Sequence, residues 1–151
     1  MSSAIDVAVI GVGLVGSAVL KQLATVPSLS ALKVVALQNS RKTLLAAPGQ
    51  HLALDHWQAQ LETSSSPALS LEQLVSELQA IQAKNRRHIA VVDNTSNDTV
   101  AGFYPSFLRA GFSVVTPNKK AFSGSVDLFS AMEEAKENDA RPLVYLSLIH
   151  I

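Results

Sequence analysis

A chain of 151 residues fits one domain that buries roughly 70% of its unfolded surface, and its 12 basic and 12 acidic residues leave a formal charge of zero. No basic stripe marks a nucleic-acid partner, and no block of like charge marks a disordered tail. Cysteine is absent, which excludes disulfides, thiolate metal sites and a cysteine nucleophile and suits a reducing compartment.

The chain opens on an apolar run, Ile5 to Ile10, with Asp6 inside it and no positive charge before Lys21. That is neither a signal peptide nor a membrane span, so a cytoplasmic protein without a membrane partner is expected. The run reads as a first strand. It passes directly into Gly11-Val12-Gly13-Leu14-Val15-Gly16 and then a helical pattern reaching about Val26, with Pro27 just beyond. A GxGxxG string is weak alone. Strand before and helix after make it a dinucleotide-binding turn: Gly11 permits the tight bend, Gly13 lets backbone approach a pyrophosphate, and Gly16 lets helix pack closely on strand. The phosphate charge then meets the free N–H groups of a helix N-terminus. The bland alternative is a tight strand-to-helix turn with no ligand.

Leu32–Leu37 reads as a second buried strand, rich in Val and Leu as parallel strands are. From Asn39 to Pro67 the pattern weakens: Pro48-Gly49 marks a loop, Trp57 to Leu61 a short helix, and Ser64-Ser65-Ser66-Pro67 a surface linker. Ser70 and Gln73 spell a capping box ahead of Leu71, Leu74, Val75, Leu78 and Ile81 at helical spacing. Ile89–Val92 is a third strand, entered from a basic stretch and ending in Asp93-Asn94-Thr95-Ser96. A helix follows with Val100, Phe103, Phe107 and Leu108 on one face, Gly111 as its stop, and Pro105 inside the pattern, where it must kink the helix or delay its start. Phe112–Val115 is a further strand, Asp127 to Asn138 an amphipathic helix, and Leu143–Tyr145 one more strand. The alternation predicts an α/β fold: a Rossmann-type doubly wound parallel sheet.

In such sheets ligands bind beyond the carboxyl ends of the strands, where three polar clusters fall. The first, Gln38-Asn39-Ser40-Arg41-Lys42, lacks the acid that bonds the ribose 2′-OH of NAD and offers two cations. Arg41 can grip a 2′-phosphate by a forked, charge-assisted pair, so NADP(H) is favoured over NAD(H), with Ser40 beside it; solvated loop charges are the alternative. The second cluster offers Asn94, Thr95 and Ser96 to the nicotinamide ribose or carboxamide, or as caps of the following helix. The third is Thr116-Pro117-Asn118-Lys119-Lys120. A cation at Lys119 would stabilise the alkoxide that develops when hydride reaches an aldehyde, although the usual fate of lysine is the surface. His51, His56, His88 and His150 show no metal-ligand spacing, and no metal site is expected.

Asp93-Asn94-Thr95-Ser96, Ala101-Gly102-Phe103-Tyr104 and Thr116-Pro117-Asn118-Lys119-Lys120-Ala121-Phe122-Ser123, together with the glycine turn, resemble the N-terminal half of homoserine dehydrogenase, especially its monofunctional fungal-type members. The likeness extends to Tyr145, and its most specific string is Thr-Pro-Asn-Lys-Lys-Ala. It implies that Gly11 to Gly16 bind the cofactor pyrophosphate, that Asn94 and Thr95 lie near the nicotinamide ribose, and that Lys119 is catalytic, with Thr116 and Asn118 beside it at the cofactor. It implies reduction of aspartate semialdehyde to homoserine on the route to threonine, methionine and isoleucine, by a homodimer; because the first strand begins almost at Met1, no kinase domain is expected before it. After Tyr145 the family continues with a histidine, a glutamate and a glycine-rich turn, then a substrate domain. Here Leu146-Ser147-Leu148-Ile149-His150-Ile151 follows and matches the in-frame translation of a common sequencing adaptor. The expectation is a Rossmann domain over residues 1–145, a non-native tail over 146–151, and a truncated chain that does not turn over. Another Rossmann dehydrogenase, or a non-catalytic dinucleotide-binding module, are the rival readings.

Overall fold

A computed structural model describes residues 5–27, 31–95 and 97–116, and the strand 143–145 by its backbone. In chain order the elements are β1 (Ile5–Ile10), α1 (Leu14–Thr25), β2 (Leu32–Gln38), β3 (Thr43–Leu45), α2 (Trp57–Glu62), α3 (Leu71–Asn85), β4 (His88–Asp93), α4 (Asp98–Gly102), α5 (Tyr104–Arg109), β5 (Ser113–Thr116) and β6 (Leu143–Tyr145). They build one six-stranded sheet in the order β3-β2-β1-β4-β5-β6. All neighbours are parallel except β3, which runs antiparallel to β2. The Rossmann-type sheet expected from the alternation is therefore present, with an antiparallel edge that the sequence pattern did not reveal.

Period-two alternation along the strands divides the core between two faces. Val7 and Val9 join Leu20 of α1 and Leu61 of α2, whereas Ala8 and Ile10 join Leu74, Leu78 and Ile81 of α3 and Tyr104, Phe107 and Leu108 of α5. Helices thus cover both faces. A register shift where β2 meets Val7 and Ala8 inserts one extra residue, so Val35 and Ala36 both join the α3–α5 face while Val34 and Leu37 join the other. Each large side chain so buried is worth about 1.5–3 kcal/mol relative to exposure.

Local chemistry sets the helix boundaries. Ser70 Oγ accepts from the Gln73 backbone N–H at 3.1 Å and Gln73 Oε1 accepts from that of Ser70 at 3.1 Å, the reciprocal box expected. α3 ends on Arg86 in the left-handed conformation (φ 54°) and turns straight into β4. Pro105 stands in the first turn of α5. Its missing N–H is harmless there, so the predicted kink is a complete break, with α4 ending at Gly102 and α5 starting afresh. Gly111, at φ 94°, closes the pair as anticipated.

One expectation is corrected. Ser64–Pro67 is no loose linker: Ser64 Oγ donates to the Thr43 carbonyl at 2.6 Å, Thr43 N donates to the Ser66 carbonyl at 3.1 Å, and Lys42 and Pro67 form an isolated antiparallel bridge. The segment follows β3 along the sheet edge because those hydroxyls and carbonyls satisfy its unpaired backbone groups. The helix expected over Asp127 to Asn138 and the tail over 146–151 lie outside the described residues. Among the described residues no helix is long and apolar enough to cross a membrane.

At the amino ends of the strands, Asp6 is fully buried and bonded by Arg87 Nε at 2.5 Å and Asn85 Nδ2 at 2.9 Å, with His51 Nε2 at 3.2 Å. His88 Nε2 lies 2.6 Å from Ser113 Oγ. His88 thus joins the starts of β4 and β5, and His51 ties its loop to β1, both at the end remote from the glycine turn.

Candidate functional site

β1, β2 and β4 finish level, with Ile10 opposite Gln38 on one side and Asp93 on the other. Beyond them opens a cleft of about 720 Å³ lined by Gly11, Gln38, Asn39, Ser40, Leu69 to Glu72, Thr95 and Phe103 among others. Its size and its position beyond the carboxyl ends suit a nucleotide.

The three glycines do three different things. Gly11 has φ +88°, and a Cβ there would stand 2.8 Å from Thr95 Cγ2 and 3.1 Å from the Thr95 nitrogen. A Cβ on Gly16 would stand 2.1 Å from the Gly11 carbonyl oxygen, so α1 can approach the end of β1 only with glycine at that position. A Cβ on Gly13 meets nothing within 4 Å. The protein's own packing makes no demand for glycine there; the space stays open to whatever binds. Gly13 is also the N-cap of α1, without a side-chain cap and without an acid in the first turn. The helix start thus keeps its free N–H groups and its positive dipole end for an anion. Val12 and Val15 are half-buried, Val12 against the α1 face of the core, while Leu14 is 91% exposed. This turn fits a pyrophosphate.

At the end of β2, Asn39 Oδ1 accepts from the backbone N–H groups of Arg41 (2.8 Å) and Lys42 (2.7 Å), a turn that carries Arg41 outward. Ser40 lines the cleft. Arg41, next in the chain, is exposed, and among the described residues its guanidinium has no partner. Lys42 is committed: its Nζ donates to the Ser64 carbonyl at 2.8 Å. Of the two cations, Arg41 is the one available to a ligand.

Sequence reasoning grouped Gln38 with these polar residues but gave it no role. Its side chain is a clamp. Gln38 Oε1 accepts from Thr43 Oγ1 at 2.6 Å and from Leu69 N at 3.2 Å, while Nε2 donates to the Leu69 carbonyl at 3.0 Å. The clamp fixes the Leu69–Leu71 wall of the cleft against β2.

At the end of β4, Asn94 N donates to the Ile10 carbonyl at 2.9 Å, tying this loop to the glycine turn. Thr95 is held by Asp93 Oδ1, which accepts from its backbone N–H at 2.8 Å and its hydroxyl at 2.6 Å. The reading of Asn94 and Thr95 as helix caps is set aside, because the N-cap of α4 is Asn97, whose Oδ1 accepts from Thr99 N and Val100 N. The Asn94 Nδ2 atom is buried and, among the described residues, has no hydrogen-bond partner. A buried unpaired donor costs about 1–3 kcal/mol, and here it lies beside the glycine turn, 3.6 Å from where a Gly16 Cβ would be. Such a donor suits a polar ligand. Thr116 is fully buried at the end of β5 and does not line the cleft. Ser96, Asn118 and Lys119 lie outside the described residues.

Comparison with known proteins agrees with this geometry. The family model described as homoserine dehydrogenase, NAD binding domain, matches residues 11–145. The homoserine dehydrogenase of Saccharomyces cerevisiae is 36% identical over 129 residues, covering 85% of this chain and 35% of its own length. That of Emericella nidulans is 38% identical over 151 residues, covering 96% and 39%. The chain therefore spans little more than a third of these relatives. Among solved structures, a hyperthermophilic archaeal homoserine dehydrogenase in complex with NADPH superposes with a TM-score of 0.63 at 18% identity, covering 94% of this chain and 43% of that one; at that identity the likeness is one of fold.

Proposed function

This chain belongs to the homoserine dehydrogenase family, whose NAD-binding domain it carries, and from that premise we propose that residues 1–145 form an NADP(H)-binding domain serving reduction of aspartate semialdehyde to homoserine. The observation that carries the reading is the open position at Gly13, on an uncapped helix start at the level carboxyl ends of the strands. Backbone N–H groups of Gly11 to Gly16 hold the pyrophosphate. Arg41, exposed and without a partner among the described residues, takes the 2′-phosphate with Ser40 beside it, which favours NADP(H) while leaving NAD(H) as a weaker ligand. Asn94 and Thr95, with Ser96 next in the chain, serve the nicotinamide ribose and carboxamide. Lys119, three residues past Thr116 in the chain and next to Asn118, stabilises charge developing on the substrate oxygen. When bound, the nicotinamide supplies the hydride. The whole enzyme acts in the cytoplasm as a homodimer, on the route to threonine, methionine and isoleucine.

Residues 1–151 by themselves bind cofactor and do not turn over. Positioning of an aldehyde against the nicotinamide is worth roughly 7–11 kcal/mol of barrier, and Lys119 alone cannot supply it. The test assays purified 1–151 with aspartate semialdehyde and NADPH beside a chain extended by a family-type substrate domain, after calorimetric titration of both with NADPH. Binding by both and turnover by the extended chain alone is the expected result. Comparable turnover by the short chain overturns the division of labour; failure of both to bind NADPH overturns the site.

A further inference from the structure

Asp93, Tyr104 and Thr116 meet beneath the ends of β4 and β5, and all three are fully buried. The Tyr104 hydroxyl donates to Asp93 Oδ2 and lies 2.9 Å from Thr116 Oγ1, which in turn lies 2.9 Å from the Asp93 carbonyl oxygen. Within the trio two hydroxyl protons serve three contacts. Tyr104 donates to the carboxylate, the stronger acceptor, and Thr116 donates to the Asp93 carbonyl or to the tyrosine oxygen. The break between α4 and α5 puts Tyr104 in the first turn of α5, where it turns onto the sheet.

This arrangement costs more than a packed apolar trio would. A buried carboxylate is expensive unless paired and hydrogen-bonded. Asp6, at the other end of the sheet, has Arg87 as its ion-pair partner. Asp93 has no cationic partner among the described residues and relies on Tyr104 and Thr95. What the arrangement accomplishes is a connection. One carboxylate oxygen holds Thr95 and so the loop bearing the unpaired Asn94 amide; the other reaches through Tyr104 to Thr116, the last residue of β5. Two strand ends that both face the nicotinamide half of a doubly wound sheet are thereby fixed relative to each other.

We propose that Tyr104 is a positioning residue for the nicotinamide half of the site, its hydroxyl locking the Asn94–Thr95 loop to the end of β5 through Asp93 and Thr116. The proposal rests on the cofactor reading above and adds to it Tyr104 and Asp93, both fully buried, which act through Thr95 and Thr116. Removing the hydroxyl leaves the adenosine half, built on β1, β2 and the Gln38 clamp, untouched.

The experiment compares the full chain with Tyr104→Phe, Thr116→Val and Thr116→Ser. Two probes are used: NADPH, whose dihydronicotinamide emission reports the surroundings of that ring, and 2′-phospho-ADP-ribose, which lacks the ring. The expected result is that bound NADPH in wild type emits differently from free NADPH. Tyr104→Phe and Thr116→Val should lose more than half of that difference, while affinity for 2′-phospho-ADP-ribose stays within about twofold. Thr116→Ser, which keeps a hydroxyl, should restore it. An unchanged emission in Tyr104→Phe, an equal loss of affinity for both probes, or bound wild-type emission like that of free NADPH overturns the proposal. Should Tyr104→Phe fail to fold, the Thr116→Val and Thr116→Ser pair decides by the same criteria. Wild type that binds neither probe overturns the cofactor reading and this proposal with it, an outcome distinct from the others.

Discussion

Gly13→Val and Gly16→Ala should separate binding from folding, because the two glycines sit three residues apart yet answer to different constraints. At Gly13 a Cβ meets nothing within 4 Å, and φ is −77°. The fold cost is the weaker N-cap, about 1 kcal/mol or less, together with fitting a β-branched residue to ψ −144°. The melting temperature should therefore move little. Binding should suffer heavily, since the branched side chain fills the pyrophosphate path. Losing two charge-assisted hydrogen bonds at about 1.5–3 kcal/mol each weakens NADPH by two orders of magnitude or more. At Gly16 the new methyl would stand 2.1 Å from the Gly11 carbonyl oxygen and 3.0 Å from its carbon. Both are backbone atoms, so the turn itself must shift, at about 1–3 kcal/mol or more. At about 2–4 °C per kcal/mol for a domain of this size, that is a visible fall in melting temperature. Circular-dichroism melts and calorimetric titration with NADPH measure both quantities. Wild-type affinity in Gly13→Val, or a wild-type melting temperature in Gly16→Ala, refutes the assignment of roles.

Arg41→Ala should cost about 1.5–3 kcal/mol of NADPH binding and leave NADH nearly unchanged; equal weakening of both cofactors in paired titrations would mean that Arg41 does not read the 2′-phosphate. Arg87→Ala strands the fully buried Asp6 carboxylate and should destabilise the fold by about 3–5 kcal/mol, read as a shift in the urea midpoint. A change below about 1 kcal/mol would show that this pair behaves as a surface contact.

What was legible in the sequence was local. The glycine turn, the Ser70–Gln73 box and the Pro105 interruption each depend on residues within a few positions of one another, and each stands in the structure where the pattern put it. What stayed hidden depends on pairs far apart. β3 is three residues long and has no periodicity to display; it exists because Thr43 to Leu45 meet β2 on one side and the serine segment on the other. The Gln38 clamp bridges 31 residues to Leu69. Tyr104 stands in the sequence only as part of the Ala101–Tyr104 string, with no role of its own, and only the break before α5 and the approach of β4 and β5 bring its hydroxyl to Asp93 and Thr116. Arg87 lies in the basic stretch that enters the third strand, and nothing local in that stretch points to Asp6, 81 residues away.

The central position of β1 bears on how this chain comes into being on the ribosome. Ile5 pairs with Leu32 on one side and His88 on the other, and the Asp6–Arg87 bond spans 81 residues. At about 5–20 residues per second, the first strand waits roughly 4–16 s for its second neighbour to be synthesised. During that interval β1, α1, β2 and β3 can assemble as a short-range unit, while the far edge of β1 has no strand to receive it. That bare edge, flanked by Val7, Val9 and Ile10, is where nascent chains would meet one another or a chaperone. Emergence of β4 closes it, and the ion pair at the base of the sheet seals the join.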